Sequence, residues 1–373
     1  MVPSRSTRLA ATILTICLWP LVLFSETSDE TSRDVLSTLD GGRLDVALER
    51  ALHWLCGQQE ADGSFPSPSE TQPAITSLSV LAMLSAGHLP GHGPYGDQID
   101  LALDFVLSCQ RKDGLLTELV RAPVGDHASG APMYNHGISG VMLCELYGMA
   151  DSKMHPRLSR AIDKALAFTA SRQDRPNSYG RNKGGWGYLD NKDGRRSDLS
   201  VTSWQLMFYR SARNAGFQVP AERIDKVMRF VVACFDPEER QFCYVPGGPH
   251  SRRGMNGAGI FALAHAGQLD EEMAELAGDW LLAHPYGGYA AHAGTAGREY
   301  YGLFFTVPAM YMLGGRHWRE FFPSLVKTML TDQRANGSWP PERGDEILGP
   351  VYSTALIVAA LNMPNQLLPI VQR

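Results

Sequence analysis

The sequence predicts an all-α fold of six helical hairpins closed into a ring, with apolar helices inside, amphipathic helices outside and one central cavity. Three observations predict it. Two kinds of segment alternate along the chain, and strand-like alternation is nearly absent. The pairs also recur at a spacing of roughly 50–60 residues, as stacked repeat units do.

The first kind of segment is charged on one face: residues 43–59, 98–110, 158–173, 222–236, 271–284 and 317–333. In the third of these, Leu158, Ile162, Ala165 and Thr169 recur at helical spacing, while Arg157, Arg160, Asp163 and Lys164 take the other side. The second kind is apolar on nearly all faces and rich in small residues: 75–87, 137–148, 199–216, 257–267, 301–315 and 354–364. A helix that is apolar all round must be buried on all sides, so these form an inner layer and the charged ones an outer layer. Length alone suggests two or three domains. Stacked repeats share one continuous core, however, and residues 43–373 are read as a single domain. Gly87, Gly148, Gly216, Gly267 and Gly314 follow inner segments, where helix C-caps prefer glycine. Asn135, Asp198, Asn256 and Ser353 stand where N-caps are expected.

The N-terminus differs in kind. Arg5 and Arg8 precede an apolar run from Leu9 to Phe24, and Glu26, Asp29 and Glu30 follow it. Residues 1–25 therefore read as a secretory signal, or as an uncleaved membrane anchor with the body outside. Either way the protein is expected to be exported: periplasmic, secreted, or held at a membrane by this segment. Residues 26–42 form a polar linker.

The net charge of −5 argues against nucleic acid as a partner, because such binding needs a concentrated basic surface. Of six cysteines, one (Cys17) lies in the apolar run, leaving an odd five. Cys56, Cys109 and Cys144 fall inside apolar helical patterns and read as small core residues. Cys234 and Cys243 could bridge across one turn or remain free.

A phrase recurs after the outer helices: Gln59 with Gly63 and Phe65, Gln110 with Gly114 and Leu116, Gln333 with Gly337 and Trp339. A stretched version joins Gln173 to Gly184-Gly-Trp186-Gly-Tyr188. It reads as a turn device. Gln can bond backbone at the helix end, Gly supplies a positive φ, and the aromatic residue packs over the joint.

These phrases resemble the QW repeats of squalene and other terpene cyclases, and more broadly the prenyltransferase/squalene-oxidase repeat. A closer resemblance covers most of the chain, to exported repeat proteins of planctomycete-type bacteria. It is carried by residues 134–149, 184–188, 198–207 and 351–355, with Leu368-Pro-Ile370 behind them. The resemblance implies an (α/α)6 toroid and defines no activity for the exported group. It also puts Arg195-Arg-Ser-Asp198 at the Asp-x-Asp-Asp acid box of the cyclases. Only the last Asp is present, and Ser197 stands in the proton donor's place. No Asp-x-Cys pair of the zinc transferases occurs. No metal or other cofactor is expected.

What remains is a polar set at the starts of inner helices. His136, Asp198 and Tyr134 are the candidate catalytic groups; a neutral imidazole at a helix N-terminus suits a general base. The plain alternatives are a bond from His136 to loop backbone and a helix cap at Asp198. Trp186, Tyr188, Ser200, Thr202, Trp204, Arg298, Tyr300 and Tyr352 are the candidate cavity residues. Aromatic faces there could attract positive charge, but aromatics at helical spacing also serve as core. Glu145, in mid-helix, is expected to form a buried ion pair. Three functions fit: a protein that binds or modifies an isoprenoid or other lipid, a polysaccharide-active enzyme, and a non-catalytic scaffold.

Overall fold

The computed structural model describes residues 41–118, 131–174, 183–189, 197–248, 253–269, 271–292 and 298–372. The signal or anchor segment lies outside these residues, as does most of the linker. Among the described residues, no helix is long and apolar enough to cross a membrane.

The outer helices are α1 (Gly41–Cys56), α3 (Gly96–Ser108), α5 (His155–Gln173), α7 (Ala221–Ala233), α9 (Glu272–Ala283) and α11 (Gly315–Asp332). The inner helices are α2 (Ala74–Ser85), α4 (Ala131–Met149), α6 (Leu199–Asn214), α8 (Arg253–His265), α10 (Glu299–Leu313) and α12 (Gly349–Leu361). A short hairpin, β1 (Phe235–Asp236) with β2 (Gln241–Phe242), lies between α7 and α8. Each inner helix packs on the next, α2 on α4 and so on to α10 on α12, and α12 packs back on α2. The ring is closed, as the alternation of segments predicts.

Burial follows the two sequence patterns. Every residue of α2 is buried. On α5 only one stripe is buried, containing Leu158, Ile162, Ala165 and Thr169. Small residues let inner helices approach closely. A Cβ at Gly257 of α8 would lie 2.5 Å from the Thr306 nitrogen of α10, so only glycine fits that seam.

At four of the six joints the turn phrase ties an outer helix to the next. Gln59 Nε2 donates to the Gly63 carbonyl at 3.0 Å and to the Gln98 carbonyl of α3 at 2.8 Å. Gln110 reaches Ala161 of α5, and Gln173 reaches Arg223 of α7, in the same way. Gln333 donates to the Ala47 carbonyl of α1 at 2.8 Å, so the last turn locks the first helix and closes the outer layer. The turn glycines have positive φ, 102° at Gly184 and 96° at Gly337. A Cβ at Gly184 would meet the Lys226 carbonyl oxygen at 2.0 Å, so contact and conformation both demand glycine there.

Several expectations are corrected. Inner helices α4, α8 and α12 begin earlier than their apolar runs, so Asn135, Asn256 and Ser353 lie inside helices and do not cap them. Asn135 donates to the Glu70 carbonyl and the Thr117 hydroxyl, and Asn256 accepts from the Phe242 N–H. Gly148 is a helical residue of α4, not a C-cap. Among the described residues Glu145 forms no ion pair. Its Oε2 accepts from the Ile370 N–H at 3.1 Å and pins the C-terminal turn between α4 and α6. Cys234 and Cys243 face each other across the hairpin, joined by a 2.7 Å backbone bond, and both are free thiols.

Candidate functional site

The ring encloses a chamber of about 410 Å³ lined by the N-terminal halves of α2, α4, α6, α10 and α12. Protein interiors seldom leave voids larger than a water molecule, so a space of this size is a feature of the ring and not a packing fault. Leu348 and Leu356 both line it, and the rise of α12 between them gives a depth of roughly 12 Å. Aliphatic side chains, Ile75, Leu78, Ile138 and Leu356 among them, form much of the wall. Five aromatic residues add to it: Tyr134, Tyr188, Trp204, Tyr301 and Tyr352.

The aromatic wall is held from behind by hydroxyl bonds. Tyr134 donates to Ser200 Oγ at 2.8 Å, Ser200 and Tyr301 hydroxyls lie 2.6 Å apart, and Trp204 Nε1 donates to the Tyr301 hydroxyl at 3.0 Å. Tyr134 and Tyr301 meet edge-on at 6.4 Å between ring centres. With both hydroxyls committed, these rings present faces and edges to the chamber. Burial pushes the Tyr134 and Tyr352 hydroxyls far above their ordinary pKa, so both stay neutral.

Arg298 and Asp345 are the charged lining residues, at the mouth, where the Arg298 side chain is half exposed. Arg298 Nε lies 2.6 Å from Asp345 Oδ2. Its backbone is left-handed (φ 50°, ψ 50°), a conformation costing a non-glycine residue about 1 kcal/mol. Glu342, nearly fully buried beside this pair, accepts from the Tyr301 N–H at 2.8 Å and caps α10. Burial raises its carboxyl to about 7.

Other expected site residues stand away from the chamber. Asp198 is the N-cap of α6, accepting from the Val201 N–H at 2.8 Å. Burial raises it to about 7 against hydrogen bonds from Val201, Tyr244 and Ser200. It is linked to the wall through Tyr244, whose hydroxyl lies 3.0 Å from that of Tyr188. His136 faces outward from α4. Its Nδ1 accepts from the Leu116 N–H at 3.2 Å, and its Nε2 lies 2.8 Å from the Thr169 hydroxyl. Burial lowers it to about 3, so it is neutral. Thr76, Thr202 and Thr354 receive the N–H groups of Phe65, Trp186 and Trp339 in the same way. His136 thus occupies the position that other repeats give to threonine. Trp186 is buried at its turn and donates Nε1 to the Thr169 carbonyl. Tyr300 turns away from the chamber and stacks on Tyr289.

The structure therefore brings Tyr134, Tyr188, Trp204, Arg298 and Tyr352 together around one space, with Ser200 directly behind them. It leaves out His136, Asp198, Trp186, Thr202 and Tyr300. Tyr301, which opens the fifth inner helix beside Arg298 and Tyr300, and Asp345, which the sequence does not single out, also line the space. Tyr301 is one helical step from the expected Tyr300, and Asp345 lies in a loop with no periodic signal. Among the described residues, no three His, Cys, Asp or Glu side chains converge to hold a metal ion.

No family model matches the chain, and no curated protein matches it by sequence. Solved structures do. The type II terpene cyclase MstE from Scytonema, in complex with geranylgeranyl dihydroxybenzoate, matches with a TM-score of 0.58 at 15% identity, over 88% of this chain and 98% of that one. The GH76 α-mannanase of Bacteroides thetaiotaomicron matches with a TM-score of 0.59 at 11% identity, over 90% and 99%. A protein from Actinoplanes follows at 0.52 and 16%, over 86% and 99%. This chain is an α/α toroid. At these identities the likeness carries the fold alone, and the toroid's chemistry must be read from its own chamber.

That chamber can do two things with the groups present. It can surround an apolar skeleton with aliphatic and aromatic faces, and it can meet a polar end at Arg298, Asp345 and the Tyr352 hydroxyl. Proton exchange with Asp198 would have to pass through Tyr244 and Tyr188.

Proposed function

We propose that this protein binds or acts on an isoprenoid or other lipid of modest size in the central chamber. The observation that carries this reading is the chamber itself: closed by the ring, aromatic and aliphatic inside, and polar at one end. Its 410 Å³ would hold roughly fourteen water-sized groups, which suits a chain of ten to fifteen carbons. A ligand pocket of 300–1,000 Å³ with few polar groups is the usual form of such a site (typically about this range). The acid box of the cyclases is not complete, and Asp198 spends its carboxylate on capping α6. Standard alkene protonation is therefore not part of the proposal. Export is proposed on the basic, apolar and polar order of the first thirty or so residues. The planctomycete-type relationship is proposed on the shared phrases alone.

The test is native mass spectrometry with lipid extraction on the full-length chain from its own envelope, followed by calorimetric titration with farnesol. The reading expects a co-purified lipid or a saturable one-to-one farnesol isotherm. Failure of both overturns it. Binding of a mannan oligosaccharide instead would point to a polysaccharide-active toroid, and binding of neither to a scaffold.

A further inference from the structure

Resting on the chamber as the ligand site, we propose that its ligand carries a positive charge: a protonated amine on an apolar skeleton. Three observations independent of one another lead there.

The first is the charge around the wall. Arg298 is already matched by Asp345. Behind the wall, Asp198 and Glu342 are both buried, and neither has a cationic partner among the described residues. Glu342 touches the wall directly, and Asp198 reaches it through one tyrosine. Glu342 accepts from the backbone of Tyr301, and Asp198 is bonded to Tyr244, which bonds Tyr188. Each also caps an inner helix, whose N-terminal dipole offsets about half a charge. Two carboxylates against two helix ends leave roughly one negative charge without a counterion among the described residues. Burial raises both carboxyls, as expected for anions short of a partner.

The second is the wall itself. The wall carries five aromatic rings, whose π systems attract a cation, and the buried Tyr134 and Tyr352 hydroxyls are neutral. The third is a missing donor. Asn135 lines the chamber and is fully buried, and its Oδ1 has no hydrogen-bond partner. Its NH2 group is spent on Glu70 and Thr117, so the oxygen remains an unused acceptor, closed over until a small shift of the wall brings an N–H or O–H to it. An ammonium supplies both the donor and the charge. A carboxylate or a phosphate dianion would supply neither.

The test uses three ten-carbon probes of one length: decylamine, decan-1-ol and decanoate, each titrated calorimetrically into the full chain at pH 7.5. The proposal expects decylammonium to bind about tenfold or more tighter than decan-1-ol, with decanoate weakest. The Asp198→Asn and Glu342→Gln double variant keeps both caps, because Asn caps as well as Asp. In it the ammonium preference should shrink to within about twofold while decan-1-ol affinity stays unchanged. Equal or tighter binding of decan-1-ol by the wild-type chain, or a preference that survives the double variant, overturns the inference and leaves the chamber reading standing. Binding of none of the three overturns both.

Discussion

The inner helices carry two faces that differ in every respect except their place in the sequence. Tyr134 and His136 lie two residues apart on α4, Trp204 and Thr202 on α6, and Tyr352 and Thr354 on α12. Two residues turn a helix by about 200°, so one member of each pair faces the chamber and the other faces the outer layer. The outward members all accept a backbone N–H from a turn phrase. The inward members are aromatic and border open space. One face builds the ring, and the other is free to vary with the ligand.

This contrast can be broken most severely at the turns. Gly184→Ala or Gly337→Ala should destabilise by on the order of 3 kcal/mol, since the new Cβ both demands a forbidden φ and meets a carbonyl. Thermal melts followed by circular dichroism would show it; a shift of only a degree or two would refute the role of the turn. Next comes His136→Ala, which leaves the buried Leu116 N–H unpaired and should cost about 2 kcal/mol. His136→Thr restores the residue type used by other repeats and should cost less. Tyr134→Phe, two residues away, should change stability by under about 1 kcal/mol while altering ligand affinity. Equal stability losses at 134 and 136 would erase the distinction between the faces.

Two smaller effects appear with pH. His136 is held neutral, with its folded pKa lowered to about 3 from the ordinary 6.5. The stability this contributes is present above 6.5 and is lost as pH falls toward 3. His136→Thr should therefore lose less stability than wild type on acidification, in urea melts at pH 7 and 4. Glu145 behaves oppositely. Its folded pKa is raised to about 7 from 4.5 by burial, so its contribution is complete below 4.5 and declines as pH rises through 7. The melting temperature of Glu145→Gln relative to wild type should rise between pH 5 and 8. A pH-independent difference would mean that the carboxyl is ionised throughout.

Most of the ring was legible in the sequence, because each part of it has a local cause. All-apolar segments have to be buried, charged stripes have to face out, and the Gln and Gly of the turn phrase act within a few residues of each other. Helix starts were less legible. The opening turns of α4, α8 and α12 contain Asn135, Asn256 and Ser353, residue types that favour caps in isolation; Asn135 and Asn256 are used here for contacts across the layer, and the Ser353 hydroxyl is buried with no partner among the described residues. The site was legible by neighbourhood and not by residue. Tyr134, Trp204 and Tyr352 were recognisable as helix-start aromatics, yet their partners two residues off carry the same polarity and face the other way. Which of Tyr300 and Tyr301 looks inward depends on the rotation of α10, which is set by packing on α8 and α12. Asp345 and Glu342 reach the site from a loop, and nothing periodic announces them.

The central claim is that the ring holds its space open for a ligand. Ile138→Trp would fill that space from the wall of α4, and farnesol titration of this variant beside wild type tests the claim most directly. The account predicts a cooperative melt close to that of wild type together with loss of farnesol binding. Farnesol affinity unchanged in a folded Ile138→Trp protein would contradict it.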